Sequence, residues 1–161
     1  MIITTARCRI RDFTLADIEP FMAYRNNLDW MKYQGYKGKE RQTYESDLLK
    51  TGSIYEGKQF AIALLTNDQL IGDIFLQQEA RTFWLGYSIA PAYARKGYTH
   101  EVLSALLEWL NHQGVQQVKA GVLPENTASI RLLEKLGFVF DYKEDNELIY
   151  TYSPTCTPQS T

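Results

Sequence analysis

The sequence predicts an α/β (α+β) domain on a mixed, mostly antiparallel central sheet of about seven strands, with one parallel β-α-β unit and flanking helices. Three observations carry this. Residues 59–90 read as three strands joined by two tight turns, the pattern of an antiparallel meander. Residues 98–112 place Val102, Leu103, Leu106, Leu107 and Leu110 on one face of a helix and a strand follows at once, so residues 82–123 form a strand-helix-strand unit of the kind that crosses over right-handed and parallel. The 161 residues are 45% hydrophobic and 13% aromatic, which suffices for one sizeable core.

Taken in order, "RCRIRDF" alternates from Arg7 to Phe13 as a half-buried strand does. Thr14 then precedes Leu15, Ile18, Phe21 and Met22 at helical spacing, and Thr14 with Asp17 makes a capping-box pattern with Asp in place of Glu. Residues 26–57 are polar, aromatic and punctuated by glycine, with a helix from about Gln42 to Lys50, and read as an excursion on the binding side. "QFAIALLT", "LIGDIFLQQ" and "TFWLGYSIA" follow as the meander, turning at "NDQ" and "EAR". The long helix from Tyr98 stops at Gly114, and "VQQVKAGVL" is the next strand. A second helix runs from about Asn126 to Leu136 with Gly137 at its cap, and "FVFDYK" and "ELIYTY" close a single domain of residues 1–152. The tail, residues 153–161, carries Pro154 and Pro158 among Thr, Gln and Ser and is expected to be disordered.

Composition excludes several classes. Seventeen basic against nineteen acidic side chains give a net charge of -2, so the overall balance indicates neither a nucleic-acid nor a membrane partner. Cys8 and Cys156 stand far apart, without metal-site spacing or a disulfide framework, which suits a reducing compartment. The first residues, "MIITTARCRI", lack the apolar core of a signal peptide, and the longest apolar run, Phe60 to Leu65, is too short to span a bilayer. A cytoplasmic location is the expectation. His100 and His112 lie on the long helix without the neighbours of a nucleophilic or metal site, so no metal is expected.

The stretch that carries chemistry is "ARKGYTHE". It sets Arg95 and Lys96 before Gly97 at the start of the long helix. A P-loop needs G-x-x-x-x-G-K-[ST] and a dinucleotide fold needs G-x-G-x-x-G, and neither pattern is present. What remains is one glycine at a first turn, where amides from about Lys96 to Thr99 can surround a diphosphate and Arg95 and Lys96 add charge. A solvated turn accounts for the same residues. Asn126 and Ser129 meet at the start of the second helix, where Asn is a preferred cap and Ser is tolerated.

"LGYSIAPAYARKGYTHEVL", followed by "VLPENTASIRLLEKLGF", resembles the GNAT superfamily of N-acetyltransferases, specifically its ribosomal-protein-acetylating, RimJ/RimL-like branch. The likeness covers nearly the whole chain, including "RIRDFTLADIEPF" near the start. It implies the GNAT fold and acetyl-CoA as cosubstrate, with the cofactor pyrophosphate held through Q/R-x-x-G-x-G/A. On this chain that motif spans Ala94 to Thr99, with Ala94 for the usual Gln or Arg and Thr99 for the small last residue; Arg95, Lys96, Gly97, Tyr98 and Thr99 are the implied contacts. By the same resemblance Asn126 and Ser129 touch the pantetheine arm and the cofactor sulfur. Leu133 replaces the Tyr that often serves as acid, which leaves Ser129, with Asn126, as the implied catalytic pair. Arg131 and Lys135 lie where nucleotide phosphates or plain solvent would meet the helix.

An amine attacking a thioester must be neutral, must shed a proton, and needs a fixed donor for the oxyanion. The resemblance puts that donor at a backbone amide of Ser88 or Ile89, where two parallel strands splay to admit pantetheine, paired as in strand addition. The base has no secure assignment: Trp84 stands where relatives often carry an acid, and Asp73, Glu79, Asp145, Glu147 or a held water are the options. Tyr24, Trp30, Tyr33, Tyr36 and Tyr44 gather where the family recognises its acceptor, and one or two of them are expected at the pocket. The implied acceptor is a primary amine, either a protein N-terminal α-amino group or a small molecule. Dimers are common in the family, and the alternative function is a non-catalytic acyl-CoA-binding or sensing module of the same fold.

Overall fold

The computed structural model describes residues 2–154, so Cys156 and most of the expected disordered tail lie outside the described residues. In chain order the elements are β1 (Ile3–Thr4), β2 (Cys8–Arg11), a 3-10 turn (Leu15–Asp17), α1 (Ile18–Arg25), α2 (Arg41–Leu49), β3 (Lys58–Leu64), β4 (Leu70–Glu79) and β5 (Thr82–Ile89). After them come α3 (Tyr98–His112), β6 (Gln117–Val122), α4 (Thr127–Lys135), β7 (Val139–Glu144) and β8 (Glu147–Tyr152).

The strands form one eight-stranded sheet in the order β1-β2-β3-β4-β5-β6-β8-β7, antiparallel except for β5 with β6. The strand beyond the expected seven is β1, two residues that pair Ile3 with Ile10 and Thr4 with Arg9. The Thr14 amide donates to the Asp17 carboxylate at 2.8 Å, which sets the turn leading into α1. No helix among the described residues is long and apolar enough to cross a membrane.

Strand alternation gives the sheet two buried faces. Against one pack α3 and α4, whose Val102, Leu103, Leu106, Leu110 and Leu133 bury completely beside Ile10, Ile62, Ile74 and Leu76. Each such side chain contributes about 1.5–3 kcal/mol on transfer from water. Against the other face pack α1 and α2, with Phe21 at the centre of an edge-to-face cluster, 5.3 Å from Phe13, 5.4 Å from Tyr24 and 5.2 Å from Tyr44. Gly72 is required where β4 and β5 lie close: a Cβ there would stand 2.4 Å from the Ser88 carbonyl oxygen.

One feature of the sheet positions the site. The parallel ladder pairs Thr82 with Gln117, Phe83 with Val118 and Trp84 with Lys119, then ends, although β5 continues to Ile89 and β6 to Val122. The two strands part at their C-terminal ends, and α3 and α4 begin at that same end.

Candidate active site

The loop after β5 is shaped by two left-handed residues, Arg95 at φ 61° and Gly97 at φ 81°, the second serving as the N-cap of α3. A glycine cap has no side chain to offer, and the first helical hydrogen bond runs from the Glu101 amide to the Gly97 carbonyl at 3.0 Å. The amides of residues 97–100 therefore have no acceptor inside the helix and aim out of its positive end. Among the described residues a Cβ on Gly97 would meet only the Arg7 guanidinium, at 3.5 Å, so the glycine is needed for its φ. The Arg95 and Lys96 side chains are exposed beside it.

Arg7, which alternation alone marks as one more strand residue, braces this loop. Its guanidinium donates to the Lys96 carbonyl at 3.1 Å, pairs with Glu101 at 2.7 Å and stacks over the Tyr98 ring at 4.1 Å. Partial burial pushes the Glu101 carboxyl up, but hydrogen bonds from Thr5 and Arg7 outweigh it and hold the group below the usual range. The acid in the first turn of α3 is thus turned toward the β1-β2 connection and leaves the helix mouth to another anion.

Across the split, Asn126 caps α4: its Oδ1 accepts the Ser129 amide at 3.3 Å. That cap holds the Ser129 hydroxyl 2.5 Å from the Tyr87 hydroxyl of β5. Burial pushes Tyr87 up to about 12 against the pull of the Ser129 hydrogen bond, so the phenol keeps its proton. The structure brings Asn126 and Ser129 together as the sequence indicates and adds Tyr87, which strand alternation gave no reason to single out. Leu133, four residues on from Ser129, is fully buried in the core, while Arg131 and Lys135 are exposed.

Main-chain direction separates Ser88 from Ile89. The Ala90 amide donates to the Ile71 carbonyl at 2.7 Å, continuing the ladder in which Ser88 faces Asp73. Main-chain groups of a strand point to alternate sides, so the Ser88 amide turns to β4, while the Tyr87 and Ile89 amides turn to the split. Ser88 contributes instead a buried hydroxyl with no hydrogen-bond partner among the described residues.

On the α1-α2 face, over β3, β4 and β5, lies a cleft of about 390 Å³ lined by Arg25, Tyr36, Asp47, Gln59, Asp73, Gly86 and Tyr87, among others. At its base the Arg25 guanidinium pairs with Asp73 at 2.5 Å and the Tyr24 hydroxyl donates to the same carboxylate at 2.5 Å, all three side chains buried. Burial pulls the Arg25 guanidinium down, but the neighbouring Asp73 charge wins and raises it; burial and Asp73 together push Tyr24 far up. Arg25 Nε and Gln59 Oε1, both on residues of this wall, have no partner among the described residues.

The five aromatic candidates separate. Tyr36 lines the cleft and donates to Asp47 at 2.7 Å; Trp30 donates its indole N–H to the Ile89 carbonyl at 2.7 Å, at the end of β5. Tyr24 lies beneath Asp73, Tyr44 is core and donates to Asn26, and Tyr33 stays outside the wall with Lys32 at 5.1 Å from its ring. Trp84 has Lys119 at 5.9 Å from its ring.

The four carboxylates separate as well. Asp73 already accepts from Tyr24 and Arg25. Glu79 sits opposite Thr82 at the far end of β5, and Asp145 holds the β7-β8 turn at φ 55°. Glu147 is exposed, with a carboxylate oxygen 2.8 Å from where a Cβ on Gly121 would stand, past the end of the parallel ladder.

A helix start with free amides, an open strand edge and a hydroxyl pair thus lie at the end where β5 and β6 part. A comparison with family models matches residues 7–139 to the acetyltransferase (GNAT) domain. In sequence the chain is similar to an uncharacterized N-acetyltransferase, YoaA, of Bacillus subtilis (strain 168), 30% identical over 145 residues that cover 85% of this chain and 82% of the relative. Among solved structures it is similar to an acetyltransferase of the GNAT family from Bacillus anthracis, with a TM-score of 0.82 and 25% identity over 95% of this chain and 98% of the other. RimJ of Mycobacterium smegmatis, solved with a CoA-disulfide, shares the fold at a TM-score of 0.77 and 18% identity, over 99% of this chain and 90% of that one.

Proposed function

We propose, from the premise that this chain belongs to the GNAT acetyltransferase family, that it transfers an acetyl group from acetyl-CoA to a primary amine by direct attack on the thioester. The observation that carries the reading is the split between β5 and β6, where the parallel ladder ends beside the start of α3 and the Tyr87-Ser129 pair. The residues fit the cofactor: the free amides of residues 97–99 take the diphosphate, with Arg95 and Lys96 supplying charge around it. The open edge of β5 pairs with the amide groups of the pantetheine arm as an added strand would. The Ile89 amide is the donor to the thioester oxygen, and Ser129, oriented by Asn126, delivers a proton to the sulfur.

The acceptor is a protein N-terminal α-amino group or a small-molecule amine, and it enters through the cleft. An acidic pocket would suit polyamines; this wall mixes Arg25, Lys50 and Lys58 with Asp47 and Asp73, and Asp73 is already occupied by Arg25. The resemblance of "LGYSIAPAYARKGYTHEVL" and "VLPENTASIRLLEKLGF" to the RimJ/RimL-like branch favours a protein α-amino group. One observation favours the alternative of a non-catalytic acyl-CoA-binding module, namely that Leu133 stands buried where relatives carry a tyrosine acid. Thiol release from acetyl-CoA, followed by mass spectrometry of the acceptor, tests both across N-terminal peptides, polyamines and aminoglycosides. Amine-dependent release with an N-acetyl product is the expected result. Tight binding of CoA with no release from any acceptor would sink the transferase and leave the binding module.

A further inference from the structure

We infer that Trp30 is a latch opened by the cofactor: the pantetheine arm takes the Ile89 carbonyl from the Trp30 indole, and the release loosens the wall of the acceptor cleft. This role rests on the acetyl-transfer reading above, which does not use Trp30. Two facts of geometry carry it. The indole N–H of Trp30 donates to the Ile89 carbonyl at 2.7 Å. The N–H and C=O of one strand residue point to the same side, and Ser88 and Ala90 face β4, so both groups of Ile89 face the gap where β6 has parted. Trp30 thus occupies a carbonyl of the edge along which the arm pairs, on the last residue of β5 before the loop that leads to α3. The second fact is where Trp30 comes from. It belongs to residues 26–40, which form neither strand nor α-helix and which also place Gln34 and Tyr36 in the wall of the cleft. One segment touches the cofactor edge and the acceptor cleft together.

The contact is built to let go. Trp30 is 39% exposed, so its ring leaves the sheet at a small loss of buried apolar area. The next residue stays behind: Met31 is buried in the α1-α2 core, and its amide donates to the Asn27 carbonyl at 2.9 Å. Release therefore frees the segment from β5 while its root in the core holds. A ligand shifts such an equilibrium only by what it binds differently in the two states. Here the difference is one oxygen, to which an amide N–H of the arm and the indole N–H both donate. Removing the indole N–H removes a competitor, and affinity for the coenzyme rises. A tryptophan that contacted the cofactor directly would act in the opposite sense, and one that merely packed would leave the affinity alone.

Titration of the full chain with CoA tests this by calorimetry, emission and hydrogen exchange. Trp30→Phe keeps an apolar ring and removes the N–H; its Kd for CoA should fall about 2- to 10-fold, the worth of one neutral hydrogen bond. In a chain carrying Trp84→Phe and Trp109→Phe, Trp30 is the sole tryptophan. CoA should shift its emission to the red as the indole passes into water. Amide exchange across residues 27–36 should quicken at saturating CoA, because a segment that loses a tie to the sheet opens at lower cost.

Unchanged or weaker CoA affinity in Trp30→Phe, an emission that CoA does not move, or exchange that slows across residues 27–36 would each overturn the latch while leaving acetyl transfer intact. A carbonyl oxygen has two lone pairs, and an arm that shared Ile89 with the indole would give the first two of these results. Should the chain with one tryptophan not fold, fluorine NMR of the wild-type sequence labelled with 5-fluorotryptophan replaces the emission, and a Trp30 signal that CoA leaves in place overturns the latch. A wild type that gives no heat with CoA overturns the function and the latch with it.

Discussion

Replacing Gly97 with alanine separates the cofactor seat from ordinary backbone strain. Gly97 has φ 81°, and Gly114, just past the other end of α3, has φ 78°. Forcing an L-residue into that region costs about 1–2 kcal/mol at either place. A Cβ at Gly114 meets nothing within 4 Å and one at Gly97 meets only Arg7 at 3.5 Å, so neither variant adds a clash. For a domain of this size each kcal/mol lowers Tm by about 2–4 °C, so both variants should melt about 2–8 °C below wild type. Their cofactor affinities should diverge. At Gly97 the methyl stands before the free amides and interferes with hydrogen bonds to a charged group, worth about 1.5–3 kcal/mol, which is about 10- to 150-fold in Kd for CoA. Gly114 lies about 22 Å away along a helix of fifteen residues and should bind CoA as wild type does. Calorimetric titration of the free chain with CoA reads the difference, and Gly97→Glu, which adds a carboxylate at the seat, should abolish the heat. Equal CoA affinity in Gly97→Ala and Gly114→Ala would remove the α3 mouth from the mechanism.

Other perturbations follow from the same contacts. Asp73→Asn leaves a buried guanidinium without its carboxylate and should destabilise the fold by about 3–5 kcal/mol in urea titrations, less if Arg25→Met accompanies it; a midpoint unmoved by Asp73→Asn would mean water reaches Arg25. Burial pushes the Asp17 carboxyl up, but hydrogen bonds from Arg11 and Thr14 prevail and hold it low in the folded state. Its stabilisation is therefore complete above the ordinary aspartate value of about 3.9 and fades as pH falls below it. Asp17→Asn should flatten the acid limb of stability against pH, and an unaltered limb would locate acid sensitivity elsewhere. Cys8 is fully buried and its thiol is pushed up to about 11 by that burial, so a Cys156→Ser variant should resist a thiol reagent at pH 8 until denatured; rapid native labelling would show that β2 opens.

Local signals made much of this legible in the sequence. The boundaries of α3 follow from an apolar stripe and a glycine at φ 78°, and the hairpins from short polar turns, although Asp68, Ala80 and Asp145 take the left-handed turn positions with no glycine among them. Asn126 and Ser129 were readable because a cap is a local event. The remainder depends on pairs distant along the chain. Tyr87 and Ser129 are 42 positions apart and Arg25 and Asp73 are 48, so neither pairing leaves a periodicity to find. Strand β1 is too short to alternate and exists because β2 offers an edge. The split is hidden for a related reason: strand propensity resides in each of β5 and β6, whereas the end of their ladder is a property of both together. Arg7 fits the alternation of β2, and only the fold shows that it reaches Lys96 and Glu101.

The most direct test is a crystal structure of the chain with coenzyme A. The account predicts the diphosphate within hydrogen-bond distance of the amides of Gly97, Tyr98 and Thr99, the pantetheine arm along the open edge of β5, and the sulfur beside the Ser129 hydroxyl. Coenzyme bound with its diphosphate away from the α3 mouth, or its arm outside the gap between β5 and β6, would contradict it.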